Sequence, residues 1–450
     1  MKYIFLLISL FTFNFLQAQV TGVVKDAAGE PIPGANVFWM NTTNGVTTNE
    51  DGNFSIHKPA RSHMLVVSFI GFENDTIHVD KGNQQLDIVL REGVELSEVN
   101  VVTRKLGTMK LRTSVMNEDM ISSAELTRAA CCNLGESFVT NPSVDVSYSD
   151  AATGAKQIKL LGLSGTYVQM MTENIPNFRG AAAPYGLGYV PGPWMQSIQV
   201  SKGSSSVKNG YESITGQINV EFKKPQLPEA DWVSANLFAS STNRYEANAD
   251  ATVKLSKRWS TSLLAHYENE TKSHDSNDDG FVDIPRVEQY NVWNRWAYMG
   301  DHYVFQAGIK ALHETRNSGQ IAHGNTPSHD LYEIGIKTNR YEAFTKNAYI
   351  FDKEKNTNLA LILQGTLHNQ DANYGRKLYD VDQSNFYASL LFETELSKQH
   401  SLSAGLSFNY DGYDQNYRLT NQAEEGLTKK FVKESVPGAY VQYTFNLNDQ

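Results

Sequence analysis

Residues 386–410 read FYASLLFETELSKQHSLSAGLSFNY. Phe386, Ala388, Leu390, Phe392 and Leu396 alternate with Tyr387, Ser389, Glu393 and Glu395. The polar stretch Ser397-Lys398-Gln399-His400 follows, and then Leu402, Ala404, Leu406 and Phe408 alternate with Ser403, Gly405, Ser407 and Asn409. A repeat of two places every second side chain on the same face of an extended chain. The stretch is therefore predicted to be an antiparallel hairpin with one apolar and one polar face.

The same texture runs through 228–450. Alternating segments occur at Trp232–Ala239, Tyr245–Leu255, Trp259–Tyr267, Val292–Met299, Tyr303–Leu312, Tyr332–Phe351, Leu359–Leu367, Phe386–Leu396, Leu402–Tyr410 and Tyr440–Leu447. Tight connections (256–258, 300–302, 352–356 and 397–400) are expected to alternate with long ones at 270–289, 314–331 and 412–432. Long loops at one end and short turns at the other are the signature of an outer-membrane barrel. The 22 Tyr and 21 Phe would supply aromatic girdles at the two interfaces, although a soluble all-β protein also favours these residues. A net charge of −10 argues against a general nucleic-acid surface.

Residues 1–19 are predicted to be a secretory signal. Lys2 gives the positive end, Ile4 to Leu16 is an apolar run too short to span a bilayer well, and cleavage is expected near Ala18. No later run has the length of a membrane helix, so any membrane-embedded part must be a closed barrel. Residues 20–91 alternate short β-prone runs with turn chemistry such as Asp26-Ala27-Ala28-Gly29 and Asn49-Glu50-Asp51-Gly52, which predicts a small β-sandwich. Residues 92–105 are a linker. Residues 106–227 mix helix and strand: Ser122-Ser123-Ala124-Glu125 is a helix start, Asn141-Pro142-Ser143-Val144 its end, and 157–161, 167–171, 198–200 and 218–222 are strand-like.

Several of these pieces carry a resemblance. Gly22-Val23-Val24, Pro31 to Val37, Thr48 to Phe54 and Phe69-Ile70-Gly71-Phe72 resemble the carboxypeptidase-regulatory-like domain that precedes many outer-membrane receptors of Bacteroidetes-type bacteria. Asn141 to Val144, Ile158 to Gly162, Val168 to Pro176, Ile198 to Gly203 and Gly210 to Pro225 resemble the plug of TonB-dependent receptors. Two positions depart from that pattern: Leu161 stands where Arg is common, and Glu173-Asn174 replaces the usual Asp-Gly. The resemblance implies a mainly β protein with an N-terminal sandwich in the periplasm, an α/β plug, and part of an antiparallel barrel in the outer membrane. Such barrels have about 22 strands around a plugged lumen. About ten are legible here, so the chain is expected to be a truncated product or a piece of a longer receptor. The resemblance also implies a TonB-like energy-transducing partner and a scarce imported substrate. Glu98, Val99, Asn100, Val101 and Val102 resemble the box that pairs with that partner by strand addition.

Three sets of residues carry candidate chemistry. Asp275, Asn277, Asp279, the Phe281 carbonyl and Asp283 have the spacing of a calcium loop, with Gly280 for the sharp turn; Arg286 stands where an EF-hand has its bidentate Glu. Cys131, Cys132, Met170, Met171 and Met195, with His313, His323 and His329 at the second long loop, offer thiol, thioether and imidazole donors. They suit a small metal-containing cargo, an ion or a chelate of siderophore, haem-like or copper type. Core packing explains the same residue types, and a glycan or peptide cargo or a purely structural barrel remains an alternative. Phe178, Arg179, Tyr185, Tyr189 and Trp194 sit on a Gly/Pro-rich loop, as either an exposed ligand platform or a loop packed on the barrel wall. No G-x-S-x-G, H-E-x-x-H or phosphate-loop motif is present, so no enzyme activity and no required cofactor are expected. His57, His63 and His78 show no metal-ligand spacing along the chain.

Overall fold

The computed structural model describes residues 19–26, 29–40, 42, 44–59, 63–69, 72, 74–79, 85–90, 108–110, 118–128, 132–138, 141, 144–203, 207–225, 232–321, 331–397, 399–420 and 428–445. The signal segment before Gln19, the stretch Glu98 to Val102, Cys131, His323 and His329 lie outside the described residues. The chain divides into two compact units, Met1–Val101 and Val102–Gln450.

Among the described residues of the first unit, seven strands form two sheets. They are β1 (Gln19–Lys25), β2 (Asn36–Trp39), β3 (Gly45–Thr47), β4 (Asn53–His57), β5 (Met64–Ser68), β6 (Asp75–His78) and β7 (Gln85–Val89). One sheet has the order β4-β1-β7, the other β3-β2-β5-β6. The alternation expected from the sequence buries Val20, Val24, Val37, Trp39, Phe54, Ile56, Leu65 and Val67 between them. Gly22 is required by a close approach: a Cβ there would stand 2.6 Å from the Leu86 carbonyl oxygen and 2.7 Å from the Phe54 ring. The short β3 was not expected, because Gly45-Val46-Thr47 is too brief for a periodic signal.

The second unit begins with the plug. Its elements are β8 (Thr108–Lys110), β9 (Glu118–Ser122), α1 (Ser123–Arg128), β10 (Val144–Asp150), β11 (Ala155–Leu160), β12 (Val168–Thr172), β13 (Ile175–Pro176), β14 (Met195–Lys202) and β15 (Gly216–Phe222). Six of the strands form one sheet in the order β13-β12-β15-β14-β9-β8. β15 is buried along its whole length and runs parallel to β12 and antiparallel to β14. The helix ends at Arg128 and does not run on to Asn141; among the described residues between them a 3-10 turn, Glu136–Phe138, follows. The β10–β11 hairpin pairs apart from the main sheet.

Ten strands then pair in chain order: β16 (Trp232–Ala239), β17 (Arg244–Lys254), β18 (Trp259–Glu270), β19 (Arg286–Met299), β20 (Tyr303–Gly319), β21 (Glu333–Asp352), β22 (Thr357–Tyr374), β23 (Lys377–Ser397), β24 (His400–Leu419) and β25 (Thr428–Phe445). Their burial is inside-out for a water-soluble sheet. On β17 the buried set is Glu246, Asn248, Asp250 and Thr252, while Tyr245 and Val253 are exposed; on β16 Val233 and Leu237 are more than four-fifths exposed. A polar interior with an apolar exterior is what a wall against lipid requires. Trp259 packs near Tyr298 and Phe305 at the short-turn end, and Tyr267 packs on Tyr290 further up the same face. Trp259 and Tyr267 are separated by about 26 Å of strand at ~3.3 Å per residue, which a tilt of about 40° projects to about 20 Å, within the ~25 Å height of a barrel's apolar band. No helix among the described residues is long and apolar enough to cross a membrane.

Every expected strand forms, but the long loops are shorter than expected. Arg286 to Gln289 belong to β19, Glu314 to Gly319 to β20, and Gly412 pairs with Lys433 where an unpaired loop over 412–432 was expected. The β22–β23 connection, at the long-loop end, is also a tight turn. Beyond the apolar band both faces are polar, as in Asp411 to Arg418, so hydropathy alternation fades while backbone pairing continues.

Candidate functional site

The plug meets the wall along a seam of charged and amide side chains. It starts at the β12–β13 turn, where Glu173 and Asn174 have φ of 51° and 62°. A two-residue turn of that hand demands positive φ at both positions, which Gly or Asn usually supplies. The Asn174 N–H donates to Asn219 Oδ1 at 2.8 Å. The Glu173 carboxylate is buried and accepts Arg295 Nη2 at 2.6 and 2.9 Å, with Lys346 Nζ 3.6 Å away. Lys346 also donates to the Glu173 carbonyl, and Arg295 to the Lys223 carbonyl at 2.8 Å. The Arg295 guanidinium lies over the Trp293 ring at 4.5 Å. Burial by itself would raise the Glu173 pKa, but Arg295 and then Lys346 outweigh it and hold the carboxyl below the usual range.

Neighbouring contacts repeat the theme. Arg340 Nη2 donates to Asn177 Oδ1 at 2.6 Å, Asn177 Nδ2 to Glu342 at 3.0 Å, and Lys310 stands 3.6 Å from Glu342. Lys310 and Asn291 both donate to the Tyr189 carbonyl. Arg316 donates to the Thr153 carbonyl at 3.1 Å and pairs with Glu314. Arg179 bridges Asp411, at 3.0 Å, and Glu212.

Toward the strand ends that carry loops 271–285 and 320–332, the seam widens into a cavity of about 330 Å³. Cys132, Glu136, Lys156 and Tyr185 of the plug line it, with Arg244, Glu268, Glu270, Glu314 and Arg316 of the wall. Arg244 reaches across to Glu136 at 2.8 Å. Burial would raise the Glu136 pKa, but Arg244 overrides it and the net shift is downward. Burial, reinforced by Glu246, pushes the Cys132 thiol well up, so it is protonated at neutral pH and is not a thiolate nucleophile.

The residues singled out in the sequence scatter. Cys132 and Tyr185 reach the cavity. Met171 and Met195 are buried, Met195 in the plug core, and Met170 packs against that core, so none of the three lines the cavity. Phe178, Tyr185, Tyr189 and Trp194 are buried; Trp194 lies against Trp293, and Tyr189 against His368. The loop from Pro176 to Trp194 is thus packed on the wall and is not an exposed aromatic platform, because its Gly and Pro positions let it lie flat on the lumen. His313 is paired with Asn339 at 2.8 Å. It alternates with the lumen-facing Leu312 and Glu314, so it points outward, off any path through the lumen. The Asp275–Asp283 loop forms tight turns, with Asp278 and Gly280 at positive φ. Asp275 accepts the N–H groups of Asp279 and Gly280, and Phe281 bridges to Gln320. Among the described residues no three His, Cys, Asp or Glu side chains form a metal-holding group.

The seam residues Arg295, Lys310, Arg316, Arg340, Glu342 and Lys346 were not singled out in the sequence. Their signal was charge recurring at every second position of a strand, as in Lys310, Glu314 and Arg316 around Leu312.

Comparison with known proteins agrees with this architecture. Residues 20–102 match the CarboxypepD_reg-like domain, and residues 110–217 match the TonB-dependent receptor plug domain. TonB-dependent receptor SusC of Bacteroides thetaiotaomicron is 28% identical over 245 residues, covering 51% of this chain and 24% of that protein. TonB-dependent receptor P39 of Formosa agariphila is 39% identical over 100 residues, 22% of this chain and 10% of its own length. The aligned part thus spans about a quarter or less of these curated relatives. Among solved structures, the alcaligin outer-membrane receptor FauA of Bordetella pertussis aligns with TM-score 0.62 at 14% identity, over 79% of this chain and 58% of that one. The ferripyoverdine receptor of Pseudomonas aeruginosa aligns with TM-score 0.62 at 13% identity, over 80% and 55%. At that identity the likeness speaks to fold alone.

Proposed function

From the premise that this chain carries a TonB-dependent receptor plug behind a CarboxypepD_reg-like domain, we propose that it serves energy-coupled import across the outer membrane. The observation that carries the proposal is the seam. A folded plug is held against a lumen wall by buried ion pairs and hydrogen bonds beside apolar contacts such as Trp194 on Trp293, and the polar part exchanges with water at less cost than an apolar contact of the same area. Among the described residues β8 pairs with β9 over Thr108–Lys110, at the edge of the plug sheet. A TonB-like protein pairing with Glu98–Val102 would pull on the chain that enters this edge strand. Deleting 98–102 in the full-length receptor is expected to leave cargo binding to cells intact and abolish uptake; unchanged uptake would favour a structural or adhesive barrel.

The cargo we propose is small, polar and metal-containing. The cavity supports this through its size and through its lining, where four carboxylates face three cations around Cys132. The Cys131→Ser/Cys132→Ser variant is expected to lower metal-dependent growth, and undiminished growth would move the assignment to a glycan or peptide. Calcium at Asp275, Asn277, Asp279, the Phe281 carbonyl and Asp283 is proposed as a stiffener of the outer loop. The spacing of these oxygen donors, with Gly280 at the sharp turn, supports that reading. Calorimetric titration should show heat at millimolar Ca²⁺ or below, and none in Asp275→Asn/Asp279→Asn.

A further inference from the structure

We propose that the edge of the N-terminal sandwich binds a soft transition-metal ion, Cu(I), through His63, Met64 and His78. Along the chain these residues show no ligand spacing; the β5–β6 pairing creates the site. Met64 and His78 are direct cross-strand partners, so their side chains leave the sheet on the same face. The Val79 N–H donates to the His63 carbonyl at 2.8 Å and extends that register by one residue. The core takes Leu65, Val67 and Val79, all fully buried, and His63, just before β5, turns out of that alternation, so that its ring and that of His78 are both exposed.

The three side chains lie side by side. The His63 and His78 rings stack with centroids 5.9 Å apart, and His78 Nδ1 is 3.3 Å from the Met64 sulfur. A metal about 2 Å from a ring nitrogen lies roughly 3 Å from that ring's centroid, so two imidazoles sharing one metal have centroids roughly 5–6 Å apart. Lys58 Nζ stands 3.1 Å from His63 Nδ1. An ammonium only donates, so this nitrogen is the unprotonated one and presents the lone pair a metal needs. The lysine occupies a cation's place on a flexible stem that can swing away. Two imidazoles with a thioether favour copper, and the thioether selects its reduced state over harder ions. The site belongs to the N-terminal unit and stands independently of which cargo the plug admits.

The test uses the full chain in detergent, under reductant, with a chromophoric Cu(I) chelator as competitor. The unaltered protein is expected to retain one more equivalent of Cu(I) than His63→Gln/His78→Gln. Met64→Leu should weaken retention about tenfold and remove the sulfur scatterer from the copper X-ray absorption spectrum. Lys58→Ala should tighten retention, the opposite sign to a loss of folding. Equal copper stoichiometry in the unaltered and double-histidine proteins, or a spectrum without sulfur in the unaltered protein, would overturn the proposal.

Discussion

The core of the N-terminal sandwich and the seam between plug and wall differ in how much charge they bury. Between the sheets of the N-terminal sandwich the buried set is apolar, with Val20, Val37, Trp39 and Leu65 at zero exposure. Between plug and wall it includes Glu173, Arg295, Lys310, Glu314 and Arg340, each at 4% exposure or less. Apolar burial is additive and indifferent to pH. Buried ion pairs nearly cancel, since the cost of removing two charges from water offsets their attraction. The sandwich therefore gains stability from each contact, while the plug–wall seam combines apolar adhesion, as where Trp194 and Phe222 meet Trp293, with buried ion pairs that fix the plug in one register.

The largest effect that tests this contrast is Trp39→Ala, expected to cost about 3–5 kcal/mol by leaving a cavity in the sandwich. Hydrogen exchange along a urea series should show the loss within 19–90 and none in the barrel strands. A matching loss in β16–β25 would show that the two units do not behave separately. Next is Arg295→Met, which leaves the Glu173 carboxylate buried without its main partner; about 3 kcal/mol of plug protection should disappear. Adding Glu173→Gln should bring protection back to within about 1 kcal/mol. Failure of that rescue would mean that the pair contributes net stability.

The pH sign follows from the depressed Glu173 pKa. The stabilisation is fully present above the unfolded carboxyl value of about 4.3, and it is lost as pH falls through the lower folded value. The Arg295→Met/Glu173→Gln chain should lack that acid-sensitive component. The smallest effect is at Leu161, whose φ of 54° places a bulky residue in the left-handed region while its side chain is 63% exposed. Leu161→Gly should stabilise the plug by about 1 kcal/mol in denaturant titrations. A loss instead would indicate that the leucine contacts something outside the described residues.

Strand after strand was legible, because the alternation in 386–410 or 245–255 follows from a wall with two unlike faces. The strand ends were not legible where both faces turn polar. Both departures from the plug pattern acquire a physical meaning in the fold. Leu161 and Glu173 occupy left-handed positions, and Glu173 is where the wall grips the plug through Arg295. Of the candidate site, Cys132 and Tyr185 reached the cavity; the methionines, the packed aromatics and His313 did not.

Local periodicity and turn chemistry by themselves determined that this chain makes a small sandwich, a mixed helix–strand segment and a wall of alternating strands, since each depends on neighbours two to four residues apart, whereas the middle segment was identified as a plug by its resemblance. Which charged residues face which was decided only in three dimensions. Glu173 and Arg295, like His63 and His78, are joined by strand register, and no local pattern encodes a partner chosen by the path of the intervening chain.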